Sequence, residues 1–124
     1  GIKINVTAVF TLKQTKDLLK KIGKKTELIL SVFAGRIADT GIDPEDEIKK
    51  HIKLCKNHKN VKILWASVRE PFNLMQAERS KTHIITIPPN ILKKFKLHNK
   101  NLNKYSQETV QTFYDDAKKS GYKL

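Results

Sequence analysis

Polar side chains interrupt three apolar segments of this sequence, in each case toward the segment's C-terminal end. Asn5 and Thr7 stand two residues apart, so a strand would place both on one face. Ser31 and then Arg36 end the second segment, and Arg69 follows the third. Because a guanidinium binds phosphate through paired, charge-assisted hydrogen bonds, two arginines at adjacent strand ends predict an anion site. Amide and hydroxyl side chains beside it would suit a polyol.

Each of these residues also has a simpler explanation. An Asn or Thr in a strand can satisfy backbone groups of its neighbours. Arg69 is followed by Glu70, with which it could form a surface ion pair that contributes little to stability. The pattern alone leaves these alternatives and the phosphate site open.

The segments that carry these residues have the features of buried parallel strands. Each is apolar, rich in β-branched residues and bounded by turn or cap signals. The predicted strands are Lys3–Phe10, Glu27–Phe33, Val61–Ser67 and His83–Ile87. Near-continuous hydrophobic runs are typical of a parallel sheet covered on both faces. The C-terminal ends of such strands form the ligand-binding edge of α/β folds, which is where the polar residues stand.

Helix signals occupy the intervals between the strands. Five helices are predicted. The first begins at the capping box of Thr11 and Gln14 and ends at Gly23, the second begins at Asp43-Pro44, and the third begins at Pro71. The fourth spans Ile91–Phe95, and the last runs from a Ser106 cap to Gly121. The order of elements is a strand followed by a helix, repeated four times, and then a terminal helix. This alternation predicts parallel strands that are joined by crossover connections. We expect one α/β domain over residues 1–124, either a small open sheet or half of a closed barrel.

Composition narrows the class of protein. The 124 residues suffice for one compact domain but not for eight βα units, which need about 250. No apolar run is long enough to span a membrane, and no segment has the pattern of a secretion signal. The single cysteine, Cys55, cannot form an intramolecular disulfide, so we expect a cytoplasmic protein without a membrane partner. Cys55 and Trp65 are expected to be packed residues.

The net charge of +13 raises the question of nucleic-acid binding. All but three of the 25 basic residues are lysines, and they are spread along nearly every segment without an aromatic-rich RNA-binding pattern. Scattered lysines indicate solvated helix faces, so no nucleic-acid partner is expected. Without metal-ligand spacing, surface positions are expected for the histidines, which are His51, His58, His83 and His98.

Four motifs, in order and in spacing, resemble the second half of the transaldolase/fructose-6-phosphate aldolase barrel. Residues 5–11 resemble its fifth-strand Asn-x-Thr motif, and residues 31–39 resemble its sixth-strand Ser-x-Phe-x-Gly-Arg-x-x-Asp motif. Residues 66–69 are similar to the seventh-strand Ala-Ser-x-Arg, and residues 85–89 to the eighth-strand Thr-x-Pro. The resemblance implies the C-terminal half of a TIM (β/α)8 barrel, with four βα units plus a terminal helix.

The resemblance also implies roles for particular residues. Arg36 and Arg69 would bind the substrate phosphate, and the arginine at position 69 favours transaldolase over the free aldolase, since part of the family has lysine there. The side chains that would contact the sugar are Asn5 and Thr7 beside the Schiff base, Ser31 at the sugar chain or phosphate, and Phe33 in the pocket wall. Asp39 would support Arg36 or the loop.

The implied reaction is the transfer of a dihydroxyacetone unit between sugar phosphates through a lysine imine, without a metal or organic cofactor. The family's imine lysine and proton-transferring acids lie on strands one, three and four, which have no counterpart here. Lys3 superficially resembles the catalytic-strand lysine, but it would stand at the non-catalytic end, and an imine lysine needs its pKa lowered by burial or a nearby cation. We therefore expect a fragment with no catalytic residue, inactive alone.

Half a barrel would leave two sheet edges exposed, and exposed edges favour association. The expected partner is the missing N-terminal half or another copy of this chain, so a homo-oligomer is expected. The alternative function is a non-catalytic module that keeps the phosphate site for binding or assembly.

Overall fold

The structure of the chain is a computed structural model, and it describes residues 1–121 and residue 123. The strands are β1 (Lys3–Val9), β2 (Glu27–Phe33), β3 (Val61–Ala66) and β4 (Ile84–Ile85). The helices are α1 (Leu12–Lys21), α2 (Ala34–Asp39), α3 (Pro44–Cys55), α4 (Phe72–Arg79), α5 (Pro89–Lys94) and α6 (Leu102–Lys119), with a 3₁₀ turn at Phe95–Leu97. In the described part of the chain, none of these helices has the length and hydrophobicity that crossing a bilayer requires.

The four strands form one parallel sheet in the order β1-β2-β3-β4. This confirms the predicted α/β class with a four-stranded parallel sheet. The strand β2 has the predicted bounds, whereas β4 contains two of the five residues predicted for it. Pro88 and Pro89 follow β4 closely, and because they lack an N–H group they cannot extend its ladder.

The chain divides into two compact units, residues 1–93 and a second unit that begins at Lys94. The second contains the 3₁₀ turn and α6. Asn101 caps α6, because its Oδ1 accepts a hydrogen bond from the Lys104 N–H group at 3.1 Å. The prediction of a Ser106 cap was wrong, since Ser106 lies inside the helix and Asn101 supplies the acceptor one turn earlier. The helix stops at Lys119.

The first unit confirms two predicted helix starts. Thr11 Oγ1 accepts from the Gln14 N–H group at 3.2 Å, and Gln14 Oε1 accepts from the Thr11 N–H group at 2.9 Å, which completes a capping box. Asp43 Oδ1 accepts from the Glu45 N–H group at 2.8 Å at the start of α3. These side chains satisfy N–H groups that a helix start would otherwise leave unpaired.

The first helix ends differently from the prediction. Gly23 was expected to close α1, but the helix stops at Lys21 and Ile22 is already extended, with φ −95° and ψ 129°. Ile22 packs against the hydrophobic core, so burial of this side chain draws the backbone out of the helix before Gly23 is reached. The short helix α2, directly after β2, was not predicted at all.

The hydrophobic core lies between the helices and one face of the sheet. It includes alternate residues of the two central strands, Leu28, Leu30 and Val32 in β2 and Val61, Ile63 and Trp65 in β3. The helices contribute Ile37, Ile48, Cys55 and Ala77. On the other face of β1, Lys3, Asn5 and Thr7 are exposed. Within the first unit the helices thus cover one face, and the opposite face is exposed at β1 but buried at Ser31 in β2 and Leu64 in β3.

One histidine belongs to this core. His51 in α3 is fully buried, and its Nδ1 lies 2.9 Å from the hydroxyl of Thr15 in α1, which is also fully buried. The expectation that all four histidines lie at the surface was therefore wrong for His51. Its place on the apolar stripe with Ile48 and Cys55, at helical spacing, was the signal in the sequence. Burial lowers the pKa of His51 from 6.5.

The lowered pKa of His51 predicts how stability depends on pH. A neutral imidazole in the fold binds fewer protons than the unfolded chain, so its contribution is complete above about pH 6.5 and is lost as pH falls, by up to about 1.4 kcal/mol per pH unit. The His51→Gln variant lacks this titrating group. The difference in unfolding free energy between the unsubstituted chain and this variant should therefore decrease as pH falls from about 7.5 to about 5. Urea titrations at each pH measure this.

The matched control is His98→Gln, because His98 is exposed. Its difference from the unsubstituted chain should stay flat over the same range. A difference for His51→Gln that does not change with pH would contradict the prediction.

Candidate functional site

Two predicted site residues, Asn5 in β1 and Ser31 in β2, are in direct contact. Ser31 in β2 is 4% exposed, and its hydroxyl donates a hydrogen bond to Asn5 Oδ1 in β1 at 2.7 Å. This bond uses one acceptor position of Asn5, so the N–H groups of its amide stay available as donors. The pair therefore presents hydrogen-bond donors at the exposed face of β1.

Thr7 stands where β1 departs from regular pairing. The register between β1 and β2 shifts between Val6 and Val9, and Ala8 has a φ of +54°. A left-handed backbone at a non-glycine residue costs energy, and a bulge of this kind re-aims the neighbouring side chains. Thr7 itself is exposed. The irregularity lies at the strand end where the sequence predicts ligand binding, as strained positions often do.

Phe33 and Arg36 meet at the junction of β2 and α2. The Phe33 ring is half-buried and lies 5.9 Å, centroid to centroid, from the ring of Phe10. The guanidinium carbon of Arg36 lies 5.9 Å from the centroid of Phe33. This cation–π contact orients Arg36 without satisfying its N–H donors, so the exposed guanidinium keeps its capacity for an anion.

Arg69, after β3, reaches the same short helix. Its Nη2 lies 2.8 Å from Oδ2 of Asp39, three residues after Arg36 in α2. Asp39 was expected to support Arg36 or the loop, and the ion pair observed is instead with Arg69. Among the described residues, the carboxylate in contact with Arg69 is thus Asp39, not Glu70 as the simpler explanation had it. Since both side chains are more than half exposed, the pair contributes little stability, and an anion can compete for the arginine.

Asn73 holds the loop that carries Arg69, and sequence reasoning missed it. This residue of α4 is 7% exposed, and its Oδ1 accepts from the N–H groups of Arg69 at 2.8 Å and Glu70 at 3.2 Å. Its amide nitrogen donates to Gln76 Oε1 at 2.8 Å. An Asn placed just after Pro71 in a helix start, where loop N–H groups need acceptors, was the signal available.

Gly35 brings the ends of β2 and β3 together. A Cβ atom at this position would lie 1.8 Å from the carbonyl oxygen of Ser67 and 2.8 Å from its Oγ. Ser67 has a φ of +63°, so the close approach coincides with a left-handed backbone at a non-glycine residue. Gly35 is therefore required for the contact between the residue before Arg36 and the strand end that leads to Arg69.

The six candidate residues lie in β1 and β2 and just after β2 and β3, and none of them lines the cavity beside α2. The cavity of about 300 Å³ near α2 is lined by Phe10, Thr11, Leu12, Ile37, Thr40, Ile42 and Glu47. Of the six, Ser31 is buried and Phe33 is half-buried, whereas Asn5, Thr7, Arg36 and Arg69 are exposed. The candidate site is thus an open surface with two arginines attached to one short helix.

Comparison with known proteins assigns the family of this chain. The family model described as "Transaldolase/Fructose-6-phosphate aldolase" matches residues 1–124. The chain belongs to the transaldolase/fructose-6-phosphate aldolase family. The predicted resemblance is thereby confirmed.

Individual transaldolase-family relatives match the chain along part of their own length. A "Probable transaldolase" of Thermoanaerobacter sp. (strain X514) is 31% identical over 125 residues, which cover 100% of this chain and 54% of the relative. That of Nitrosopumilus maritimus (strain SCM1) is 37% identical over 100 residues, covering 79% of this chain and 43% of the relative. The "Probable transaldolase" of Bartonella henselae (strain ATCC 49882 / DSM 28221 / CCUG 30454 / Houston 1) is 31% identical over 125 residues, which cover 100% of this chain and 53% of the relative. The chain spans about half the length of these curated relatives.

Lys3 is the lysine of this family member that most resembles an imine-forming residue in sequence. Its Nζ lies 3.0 Å from Glu27 Oε2, and the two side chains are 77% and 63% exposed. An imine lysine is activated by burial or by a neighbouring cation, whereas Lys3 is exposed and contacts a carboxylate. Neither feature of this environment would activate the lysine for imine formation.

Proposed function

We propose that this chain is the sugar-phosphate-binding half of a transaldolase-type (β/α)8 barrel, equivalent to its strands five to eight. The complete barrel would transfer a dihydroxyacetone unit between sugar phosphates through a lysine imine formed in the other half. This chemistry needs no metal or organic cofactor, and the reaction would take place in the cytoplasm. The observation that carries the proposal is the attachment of both Arg36 and Arg69 to α2 at the ligand-binding edge of the sheet, in a chain of this family.

In this proposal each side chain of the edge has a role. The guanidinium groups of Arg36 and Arg69 bind the phosphate, which displaces Asp39 from Arg69. The bond between Ser31 and Asn5 fixes the Asn5 amide, so that its N–H groups donate to a sugar oxygen. Thr7 extends this polar edge, and Phe33 forms the pocket wall. No residue of this chain is assigned a catalytic role.

The partner that completes the site would be an N-terminal half-barrel or a second copy of this chain. Two features support a partner. The relatives are about twice as long as the chain, and within the first unit β1 and β4 each pair with one neighbour, so the sheet has two open edges. The face of β1 that carries Asn5 and Thr7 is exposed. Partner strands that continue the sheet from β1 and close the barrel would enclose this face and the phosphate. The chain would then act as one half-barrel domain over residues 1–124.

The proposal is tested by calorimetric titration of the chain with fructose 6-phosphate and with fructose, in buffer without phosphate or sulfate. Fructose 6-phosphate should bind more tightly. Arg36→Gln and Arg69→Gln should each weaken it by roughly tenfold to a hundredfold, because each removes a charge-assisted hydrogen bond. Both substitutions keep a polar side chain of similar length at an exposed position.

The matched control is Lys20→Gln, which removes one exposed positive charge from α1 and should leave fructose 6-phosphate affinity unchanged. Equal affinity for fructose and fructose 6-phosphate, or an Arg36→Gln/Arg69→Gln double variant that binds as tightly as the unsubstituted chain, would contradict the proposal. Fructose 6-phosphate binding without turnover, in the presence of the partner half, would instead favour a non-catalytic binding module.

A further inference from the structure

A second concave surface lies at the opposite edge of the sheet. The helices α3 and α4 end there, beside the start of β3 and the residues that lead into β4. Between them is a cavity of about 600 Å³, which we call the basic cleft. Its cationic lining residues are Lys49, Lys53, Lys56, Lys59, Lys81 and Arg79. Four of these cations come from α3 and the turn after it, and the end of α4 brings Arg79 and Lys81 to the same cavity.

Most of this positive charge has no counter-charge in the described part of the chain. Glu45 accepts two hydrogen bonds from Arg79, at 3.2 and 2.5 Å, and its Oε1 lies 2.9 Å from Lys49 Nζ. The Arg79 guanidinium and then Lys49 lower the pKa of Glu45 to about 2, so this carboxylate is ionised at neutral pH. The cations without an ion pair to a described residue are Lys53, Lys56, Lys59 and Lys81. Lysines that surround a cavity raise its electrostatic potential and attract anions.

Lys81 has a backbone conformation that is unfavourable for lysine. It follows the C-terminal end of α4 with a φ of +59°, the left-handed conformation that glycine adopts most easily after a helix. Stabilising the last turn of α4 does not require lysine at this position, since glycine would end the helix without strain. A strained residue whose side chain lines a charged cavity indicates that the side chain itself has a use.

The floor of the basic cleft is apolar and chemically inert. It is formed by Ile52, Cys55 and Val61. Burial raises the pKa of the Cys55 thiol to about 11, so Cys55 is a packed residue there and not a nucleophile. His83 also lines the cleft, and its Nδ1 accepts from the Ile63 N–H group at 3.0 Å. A neutral His83 therefore carries its proton on Nε2 and can donate a hydrogen bond.

These features define the chemistry of an occupant. Lysines without ion pairs suit several delocalised negative charges, because an ammonium group binds phosphate as a point charge with rotatable donors. The apolar floor suits a flat, weakly polar group. A volume of about 600 Å³ lies within the range of small-molecule sites, whereas a nucleic-acid strand follows an extended basic groove with aromatic stacking residues. We infer that the basic cleft binds a nucleoside polyphosphate, with the phosphates at the four unpaired lysines and the base over the floor.

The inference is tested by calorimetric titration of the 124-residue chain with ATP and with inorganic tripolyphosphate. ATP should bind more tightly, because tripolyphosphate has no group for the floor. The triple variant Lys53→Gln/Lys56→Gln/Lys59→Gln should weaken ATP binding by about tenfold. The control Lys16→Gln/Lys20→Gln/Lys25→Gln removes the same charge from exposed positions outside the cleft, and should change ATP affinity by less than about twofold.

A further variant, Lys81→Gly, separates binding from folding. It relieves a strained backbone while it removes a cleft cation, so the unfolding temperature should rise and ATP affinity should fall. Fructose 6-phosphate should not displace ATP, since the arginines of the candidate site lie at the other edge of the sheet. This competition experiment distinguishes the basic cleft from the candidate site, so the inference can be tested independently of the proposed function.

Four results would overturn the inference. Equal losses in the two triple variants would mean that ATP responds to net charge and not to the cleft. Tripolyphosphate binding as tight as ATP binding would remove the role of the floor. Unchanged ATP affinity in Lys81→Gly would remove that lysine from the site. A single-stranded oligonucleotide that binds more tightly than ATP, and loses affinity in the cleft variant, would make the cleft a nucleic-acid interface.

Discussion

Replacement of Gly35 by alanine is expected to destabilise the chain by about 3 kcal/mol, at the upper end of what overpacking costs. The new Cβ would lie 1.8 Å from the carbonyl oxygen of Ser67. That oxygen is backbone at the end of β3, where Ala66 pairs with Phe33, so it cannot move like a flexible side chain. Alanine favours a helix over glycine by about 1 kcal/mol, which is too little to offset the clash in α2. Urea denaturation followed by circular dichroism measures the loss.

The chain provides a matched control for this substitution. A Cβ at Gly23 would meet nothing within 4 Å, and Gly23 does not have a left-handed backbone. Gly23→Ala should therefore be neutral, or stabilising by a few tenths of a kcal/mol to about 1 kcal/mol, because it restricts the unfolded chain. Equal denaturation midpoints for the two variants would mean that the approach of Gly35 to Ser67 does not constrain the fold. Under the proposed function, Gly35→Ala should also weaken fructose 6-phosphate binding, because Ser67 precedes Arg69 by two residues.

Replacement of Trp65 by alanine is expected to destabilise the chain by about 3–5 kcal/mol, because it leaves a large cavity in the core. Trp65 is fully buried in β3, among core residues that include Ile63 and Val32. Its Nε1 is buried without a hydrogen-bond partner among the described residues. Trp65→Phe removes this unsatisfied donor along with part of the ring, so it should cost clearly less than Trp65→Ala. The measurement is again urea denaturation followed by circular dichroism.

Phe72→Ala is the control for the loss of an aromatic ring. The Phe72 side chain is 50% exposed, and it contacts the guanidinium of Arg79 at 5.1 Å from the ring centroid. Its truncation should cost about 1 kcal/mol or less, since little buried area is lost and the cation–π contact is exposed. Losses of similar size for Phe72→Ala and Trp65→Ala would contradict the burial of Trp65.

The features that the sequence predicted are those that depend on neighbouring residues. The strand β2 has its predicted bounds because both of its ends coincide with the ends of the apolar run Glu27–Phe33, which is visible in the sequence itself. The caps of α1 and α3 were predictable because Thr11 and Asp43 bond to groups within three residues. The cap of α6 was misplaced because Ser106 and Asn101 are both competent caps, and local pattern does not choose between them.

The features that could not be predicted join distant parts of the chain. The pair between Asp39 and Arg69 spans 30 residues, and it depends on α2, whose six residues are too few for a helical period to be recognised. The approach of Gly35 to Ser67 depends on adjacent strand ends. The basic cleft could not be predicted either, because it joins the lysines of α3, such as Lys53, to Lys81, which follows another helix. Spacing along a sequence carries no information about such partners.

The two open edges of the sheet differ in a way that sets the order in which an assembled sheet would come apart. A parallel strand added beside β1 meets seven residues, whereas one added beside β4 meets two. The ladder beyond β4 also stops early, because Pro88 and Pro89 lack N–H groups. Local opening begins where the fewest hydrogen bonds must break. In the proposed assembly, the seam at β4 would therefore open and exchange its amide hydrogens first, while the seam at β1 would keep the two parts joined.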